Sequence, residues 1–254
     1  MLRQVIGWTK PARYTLDTML FNMGTRATHL ETLKDKFKGQ PLLVAGNGPS
    51  LNNTPLEDFA HIPSIGMNKI DLIFPRVKWR PDLIVCINNM VVKQHAQTFA
   101  KSDIPVLLSY KSRWYAPRSP SINYFNMSLE EDFSTNFATH VGSAATVTYP
   151  ALQLAYYLGA DPVIIIGVDH NFDKTGGDHS YEKREGADVN HFDPNYFKAG
   201  TYWGLPNLEA SERVYLRARH AFEADGRRIV DATVGGKLQV FDKVSIEDAK
   251  ALAG

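Results

Sequence analysis

Gln40-Pro41-Leu42-Leu43-Val44-Ala45-Gly46-Asn47-Gly48-Pro49-Ser50-Leu51-Asn52 passes within a few residues from an apolar run to a glycine-punctuated turn. The run ends at Ala45 and reads as a strand buried on both faces, as in a mostly parallel sheet. Gly46 and Gly48 let the backbone turn sharply and approach a ligand where a Cβ would collide. Ser50 and Asn52 suit the N-cap of a short helix from Thr54 to Ala60, and free backbone N–H groups at such a turn attract phosphate or carboxylate. In open α/β sheets ligands bind outside the carboxyl ends of the strands. The turn is therefore expected to hold part of a nucleotide or a nucleotide-activated donor. The alternative is a tight turn and nothing more, because the spacing matches neither GxGxxG nor the P-loop.

Outward from this turn, the same pattern repeats. Ser64 to Asn68, Pro81 to Ile87, Pro105 to Ser109 and Pro162 to Ile166 read as further strands, and Arg228 to Ala232 as a last parallel one. Leu238 to Phe241 reads as a short edge strand. Helices are expected over about Val91–Ala100, from Ser143 to Leu158 with a kink or late start at Pro150, over Leu205–Ala224, and after the cap Ser245. Tyr14, Leu16, Met19, Leu20 and Met23, then Leu30, Leu33 and Phe37, recur at helical spacing and predict one long N-terminal helix, broken near Gly24 and ending at Gly39. Residues 111–133 and 171–204 have no period and read as long loops forming a lid. Strands alternating with helices give a single Rossmann-like, doubly wound, mostly parallel α/β sheet over residues 40–254, preceded by a helical segment over residues 1–39.

Composition excludes several classes. The 254 residues are 44% hydrophobic and 22% charged, an ordinary globular balance, and a net charge of +1 leaves no electrostatic footprint for nucleic acid. A lone cysteine, Cys86, fits a reducing compartment. No signal-peptide core or run long enough to span a bilayer is present, so a cytoplasmic location is expected. Trp8, Lys10 and Arg13 leave peripheral contact at the inner membrane face open, and the N-terminal helix leaves a homo-oligomer open.

Polar residues end successive strands: Gly46 to Ser50, Asn68, Asn88 and Asp169. As a set they favour a polar ligand, although each alone also suits a cap or turn. Ser143, after Gly142, is expected to open a helix and offer a second anion position; no GxSxG elbow surrounds it. The loop carrying Asp169, His170, Asp173, Asp178, His179, His191 and Asp193 has the residue types of a metal site without HxxxH or HExxH spacing, so no metal ligands are assigned. His170, beside Asp169, and His191 are candidate bases; a loop-anchoring hydrogen bond is the alternative for each.

Gly46-Asn47-Gly48-Pro49-Ser50-Leu51, Asn68, Asn88, Gly142-Ser143, Leu158-Gly159 and Ile166-Gly167-Val168-Asp169 resemble the motifs of bacterial family-42 sialyltransferases. The same skeleton is similar to a bacterial family associated with surface polysaccharides, whose domain is named for archaeal 6-hydroxymethylpterin pyrophosphokinase. Asn190 to Pro194, Trp203 to Leu208, Asp225 to Arg228 and Ala232 to Gly236 look like that branch in particular. The resemblance implies a transferase in surface glycan biosynthesis, with a CMP-linked nonulosonic acid donor, a glycan acceptor and no essential metal. Gly46, Asn47, Gly48, Ser50, Asn68, Asn88, Gly142 and Ser143 would hold the donor, and His191 or His170, with Asp169, would serve catalysis. The chain departs from the sialyltransferases in having His140 where they have an arginine, and Tyr202-Trp203-Gly204 where their catalytic histidine lies. Two alternatives remain open: an ATP- and Mg²⁺-dependent pyrophosphokinase acting on a pterin, and a non-catalytic nucleotide-binding protein.

Overall fold

A computed structural model describes residues 10–24, 26–173, 176 and 181–254. In chain order the strands are β1 (Leu42–Ala45), β2 (Ser64–Met67), β3 (Leu83–Cys86), β4 (Val106–Ser109), β5 (Ile122–Phe125), β6 (Val163–Ile166), β7 (Tyr181–Lys183), β8 (Tyr202–Gly204), β9 (Ile229–Asp231) and β10 (Asp242–Lys243). The helices are α1 (Lys10–Asn22), α2 (Arg26–Glu31), α3 (Asn89–Ala100), α4 (Thr148–Tyr157), α5 (Leu208–Ala224) and α6 (Ile246–Ala253). Eight strands form one sheet in the order β10-β9-β6-β1-β2-β3-β4-β5, and β7 and β8 pair as a separate antiparallel hairpin. Every pairing inside the large sheet is parallel. This is the doubly wound α/β arrangement that the alternating pattern implied.

The apolar runs are continuous because both faces are covered, and the period of two divides them. Leu42, Val44, Val163 and Ile165 pack against the layer that includes Phe21, Leu30, Leu152 and Phe222. Leu43, Ala45, Ile164 and Ile166 share the opposite layer with Phe59, Trp79, Val92 and Phe99. Chain order runs outward through β2 to β5 on one side of β1 and through β6, β9 and β10 on the other. The sheet thus has a topological switch between β1 and β6, where a crevice opens at the carboxyl ends.

Several expectations need correction. The N-terminal helix is broken near Gly24 as expected, into α1 and α2, but it ends at Glu31 and continues as turns instead of running to Gly39. These turns are zipped to the end of α4 by backbone bonds from Asp35, Phe37 and Gly39 to Tyr157, Leu158 and Gly159 (2.8–3.0 Å). The helix after the glycine turn is two 3-10 turns, Pro49–Asn53 and Leu56–Phe59, and neither Ser50 nor Asn52 caps it: the N-cap is Gly48. α4 begins at Thr148, so Ser143 lies in a loop; Pro150 fits because it falls in the first turn, where its missing N–H costs nothing. Residues 111–133 contain the edge strand β5, and residues 171–204 contain the β7–β8 hairpin. The last edge pairing lies at Asp242–Lys243, after the expected Leu238–Phe241. Ser245 does cap α6, in a reciprocal capping box with Asp248. Among the described residues no helix is long and apolar enough to cross a membrane.

Phe21 of α1 is fully buried against Tyr110, ring centroids 5.6 Å apart. Phe21→Ala is therefore expected to cost about 3–5 kcal/mol, read as a fall in the urea midpoint of the whole chain. An unchanged midpoint would mean that α1 is an independent appendage.

Candidate functional site

At the switch point the tips of β1 and β6 touch backbone to backbone. A Cβ on Gly46 would lie 2.1 Å from the Gly167 carbonyl oxygen, and one on Gly48 would lie 1.8 Å from Asp169 Oδ2. Both glycines permit this close approach of two strands, and both also line the crevice. The turn's donors are committed as well. Gly46 N–H donates to Ile166 O, Gly48 N–H to Gly167 O and Leu51 N–H to Gly48 O (2.8–3.1 Å). Ser50 donates its N–H to Asp169 Oδ1 (3.0 Å) and its hydroxyl to Oδ2 (2.6 Å). Burial pushes the Asp169 carboxyl above its ordinary range, and these two bonds from Ser50 oppose the shift.

The crevice widens into a cavity of about 680 Å³, a size suited to a small-molecule ligand. Asn47 and Asn68 line it beside each other, since the Asn47 amide donates to Met67 O (2.9 Å). That bond fixes which end of the amide is which, and leaves Asn47 Oδ1 buried without a partner among the described residues; Asn68 Oδ1 and Ser109 Oγ share that condition. Asn68 sits at φ 50°, a left-handed conformation that asparagine tolerates. Asn88 is the N-cap of α3, its Oδ1 accepting from Met90 and Val91 N–H.

The opposite wall is the loop 188–197. It docks on the β1 tip through Phe192 N–H to Asn47 O (2.9 Å) and the Asn52 amide to Phe192 O (2.9 Å). It docks on the β2 tip through Lys69, whose ammonium donates to Tyr196 O (2.8 Å) and Gln94 Oε1 (3.0 Å). Burial pulls the Lys69 ammonium below its usual range. On this platform the His191 ring stacks flat on Tyr196, centroids 3.9 Å apart and planes within 1°. Asp188 Oδ2 accepts from His191 Nδ1 (2.8 Å), which turns Nε2 away from the carboxylate. Burial alone would raise the Asp188 carboxyl; the hydrogen bond and charge of His191, the Asn190 N–H and Arg184 outweigh it and hold the group below its ordinary value of 3.8. A carboxylate that orients an imidazole at a cavity wall is the arrangement of a general base.

His170 lies on the same cavity at φ 52°, with Nε2 held by Glu212 Oε1 (2.8 Å). The Asn190 amide bonds to Asp173 Oδ1, and Asp173 N–H returns a bond to Asn190 Oδ1 (3.0 Å), closing the loop below the dyad.

Residues 17–175, well over half of the chain, match the family described as 6-hydroxymethylpterin diphosphokinase MptE-like. The chain belongs to that family. No curated protein matches it. Among solved structures it is similar to the MAf glycosyltransferase from Magnetospirillum magneticum AMB-1, with a TM-score of 0.52 and 14% sequence identity over 90% of this chain and 41% of the other. The chain thus spans less than half of that neighbour's length, and at this identity the likeness is one of fold.

The cavity gathers Gly46, Asn47, Gly48, Asn68, Asn88, Ser143, Asp169, His170 and His191. Ser50 is not on its lining but behind it, holding Asp169. Gly142 is also behind the wall: its N–H goes to Gln153 Oε1 (2.8 Å), and a Cβ there would meet Asp132 O at 1.6 Å. Ser143 reaches the cavity from a loop, with its N–H donated to Glu130 O, so no helix end presents it. Asp178 and His179 lie outside the described residues. Asp193 closes a turn over Asn195 and does not line the cavity. Sequence reasoning missed Asp188, Lys69 and Tyr196. An Asp three residues before a loop histidine was the available signal for the first; the other two read as ordinary surface and core residues until the topology joins them.

The Asp188 shift has a testable sign. Its folded value lies below its ordinary one, so it stabilises the fold at neutral pH, and that contribution disappears as pH falls through 3.8 toward the folded value. Between about pH 5 and pH 3, urea midpoints of the wild type are expected to fall more steeply than those of Asp188→Asn. Parallel slopes would mean that the Asp188–His191 bond contributes nothing in solution.

Proposed function

We propose that the chain is a transferase that binds a nucleotide-activated sugar in the switch-point cavity and passes the sugar to a hydroxyl of a glycan acceptor. CMP-linked donors are favoured, and the setting is surface glycan biosynthesis. The observation that carries the reading is His191 on the cavity lining, held by the buried Asp188 behind it and stacked on Tyr196. His191 suits the base better than His170. Its Nδ1 is held by Asp188, leaving the outer nitrogen Nε2 for an incoming hydroxyl, whereas His170 has its outer nitrogen occupied by Glu212. In the step so drawn, the acceptor oxygen attacks the anomeric carbon, the bond from that carbon to the donor phosphate breaks, and the hydroxyl proton passes to His191. The nucleotide leaves with the bonding pair, and positioning and stabilisation of its phosphate carry most of the catalysis. The fold shared with a glycosyltransferase and the resemblance of the Gly46–Leu51 turn to sialyltransferases support this reading.

The family description favours a second reading, an ATP- and Mg²⁺-dependent diphosphokinase. Asp169 would then be the candidate ligand on the cavity wall. Its two oxygens are bonded to Ser50, and among the described residues no three His, Cys, Asp or Glu side chains gather as a metal cluster. Mg²⁺ delivered with ATP would need only one or two carboxylates beside the phosphates, and Asp169 would have to release Ser50 to be one of them.

Calorimetric titration with CMP, UMP, GDP and ATP, with and without Mg²⁺, separates the readings. Tight CMP binding without metal is expected. With a CMP-linked nonulosonic acid as donor, His191→Asn is expected to lower turnover by about 10²–10⁴-fold while leaving CMP affinity unchanged. ATP binding that requires Mg²⁺ would favour the diphosphokinase, and binding of no nucleotide would overturn both.

A further inference from the structure

The glycine turn has almost no donors left to give, because the N–H groups of Gly46, Gly48, Ser50 and Leu51 are spent inside the protein. A phosphate is an acceptor on every face and needs donors and positive charge. Both are found elsewhere on the cavity, at the tips of β3 and β4. Asn88 and Asn89 follow β3. The carbonyl oxygen of the Asn88 side chain is consumed by Met90 and Val91 N–H (2.9 and 3.4 Å), and that of Asn89 by the Ser112 hydroxyl (2.7 Å). With each oxygen accepting from the protein, what these two cavity-lining side chains have left to offer a ligand is the donor NH₂.

Ser109 ends β4 alongside them. It is 2% exposed, lines the cavity, and its hydroxyl has no partner among the described residues. Two residues on, Lys111 is the one lysine or arginine among the described residues that line the cavity. The amino end of α3, twelve residues long, adds its partial positive charge at the same place. Of the acidic groups on the described lining, Asp169 is bonded to Ser50 and Glu131 to Arg213 (2.9 Å).

We propose that Asn88, Asn89, Ser109 and Lys111 form the anion subsite of the cavity and hold the phosphate or diphosphate of the bound ligand. The identity of the molecule carrying that phosphate rests on the function proposed above; the subsite itself does not. It places the leaving phosphate two to three strands away from the glycine turn.

Inorganic pyrophosphate tests the subsite alone, by calorimetry on the full chain. The wild type is expected to bind it. Lys111→Met and Asn89→Asp are each expected to weaken binding by at least about tenfold, the worth of one charge-assisted hydrogen bond. Lys111→Arg retains binding. Lys93→Met, which removes the same charge from the exposed face of α3, leaves it unchanged. Pyrophosphate binding that is absent in the wild type, or equal in the wild type, Lys111→Met and Asn89→Asp, would overturn the subsite. Repeating the series with CMP and cytidine separates the two proposals. Loss confined to CMP supports the subsite within the proposed function. Binding of pyrophosphate, with the expected losses, but of no nucleotide supports the subsite and removes the function.

Discussion

The contact between the ends of the two central strands governs the rest of the molecule. β1 and β6 meet where the sheet order reverses, and no side chain fits between Gly46 and the Gly167 carbonyl. Gly167 itself is at φ 66°, a left-handed conformation open to glycine at little cost. This closeness lets Asp169 reach across to Ser50 and lock the two tips together through both carboxylate oxygens. The same closeness uses up the turn's N–H groups. A motif that looks like a phosphate cradle in sequence is, in space, a joint between strands whose N–H groups are largely bonded within the protein.

A second constraint follows from burying Lys69. A lysine that is almost wholly enclosed must find partners for its ammonium, or the desolvation cost falls on the fold. Its partners here are the Gln94 side chain, the Tyr196 carbonyl and the faces of Tyr196 and Phe197, 5.4 and 4.8 Å away. All but Gln94 belong to the loop that carries His191. The stack of His191 on Tyr196 is therefore fixed from below by a residue of the β2 tip, while Asp188 fixes the ring edge-on. The loop read in sequence as a lid is anchored at β1, β2 and its own Asp173–Asn190 exchange. Its residues 188–197 form one wall of the cavity.

The sheet was legible because its strands are buried on both faces. Leu42–Ala45 and Val163–Ile166 admit no polar residue, and such runs between turn residues have few other readings. β5 escaped because Ile122-Asn123-Tyr124-Phe125 is an edge strand with a half-exposed middle, set after several prolines. The start of α4 was misplaced at Ser143 because a Gly-Ser pair looks like a cap, whereas the helix begins at Thr148 with no side-chain cap on Val147. For the site, the strand-tip residues Gly46, Asn47, Gly48, Asn68, Asn88 and Asp169 share one cavity lining. Asn88 lines the cavity and is also the helix cap that its alternative reading named. Ser50 and Gly142 support the wall from behind. Whether an asparagine offers an oxygen or an amine depends on where its other end is tied, and the ties at Asn47, Asn88 and Asn89 come from Met67, the α3 backbone and Ser112. Only the first two lie close enough in sequence or register to have been anticipated.

The extent of the family match bears on which part of the chemistry carries over. Residues 17–175 include the tips at Gly46–Gly48, Asn68, Asn88–Asn89, Ser109–Lys111 and Asp169, and stop before Asp188 and His191. The shared segment is thus the floor of the cavity and its donor-rich corner, while the imidazole that would take a proton belongs to the chain beyond it. A diphosphokinase and a glycosyltransferase have the same need at that floor, since each must grip a phosphorylated donor and stabilise the charge that develops on it. They part at the group that receives the transfer and at the base beside it. Membership in the family is accordingly an argument for the binding half of the cavity, and the choice between the two chemistries turns on the wall built by residues 188–197.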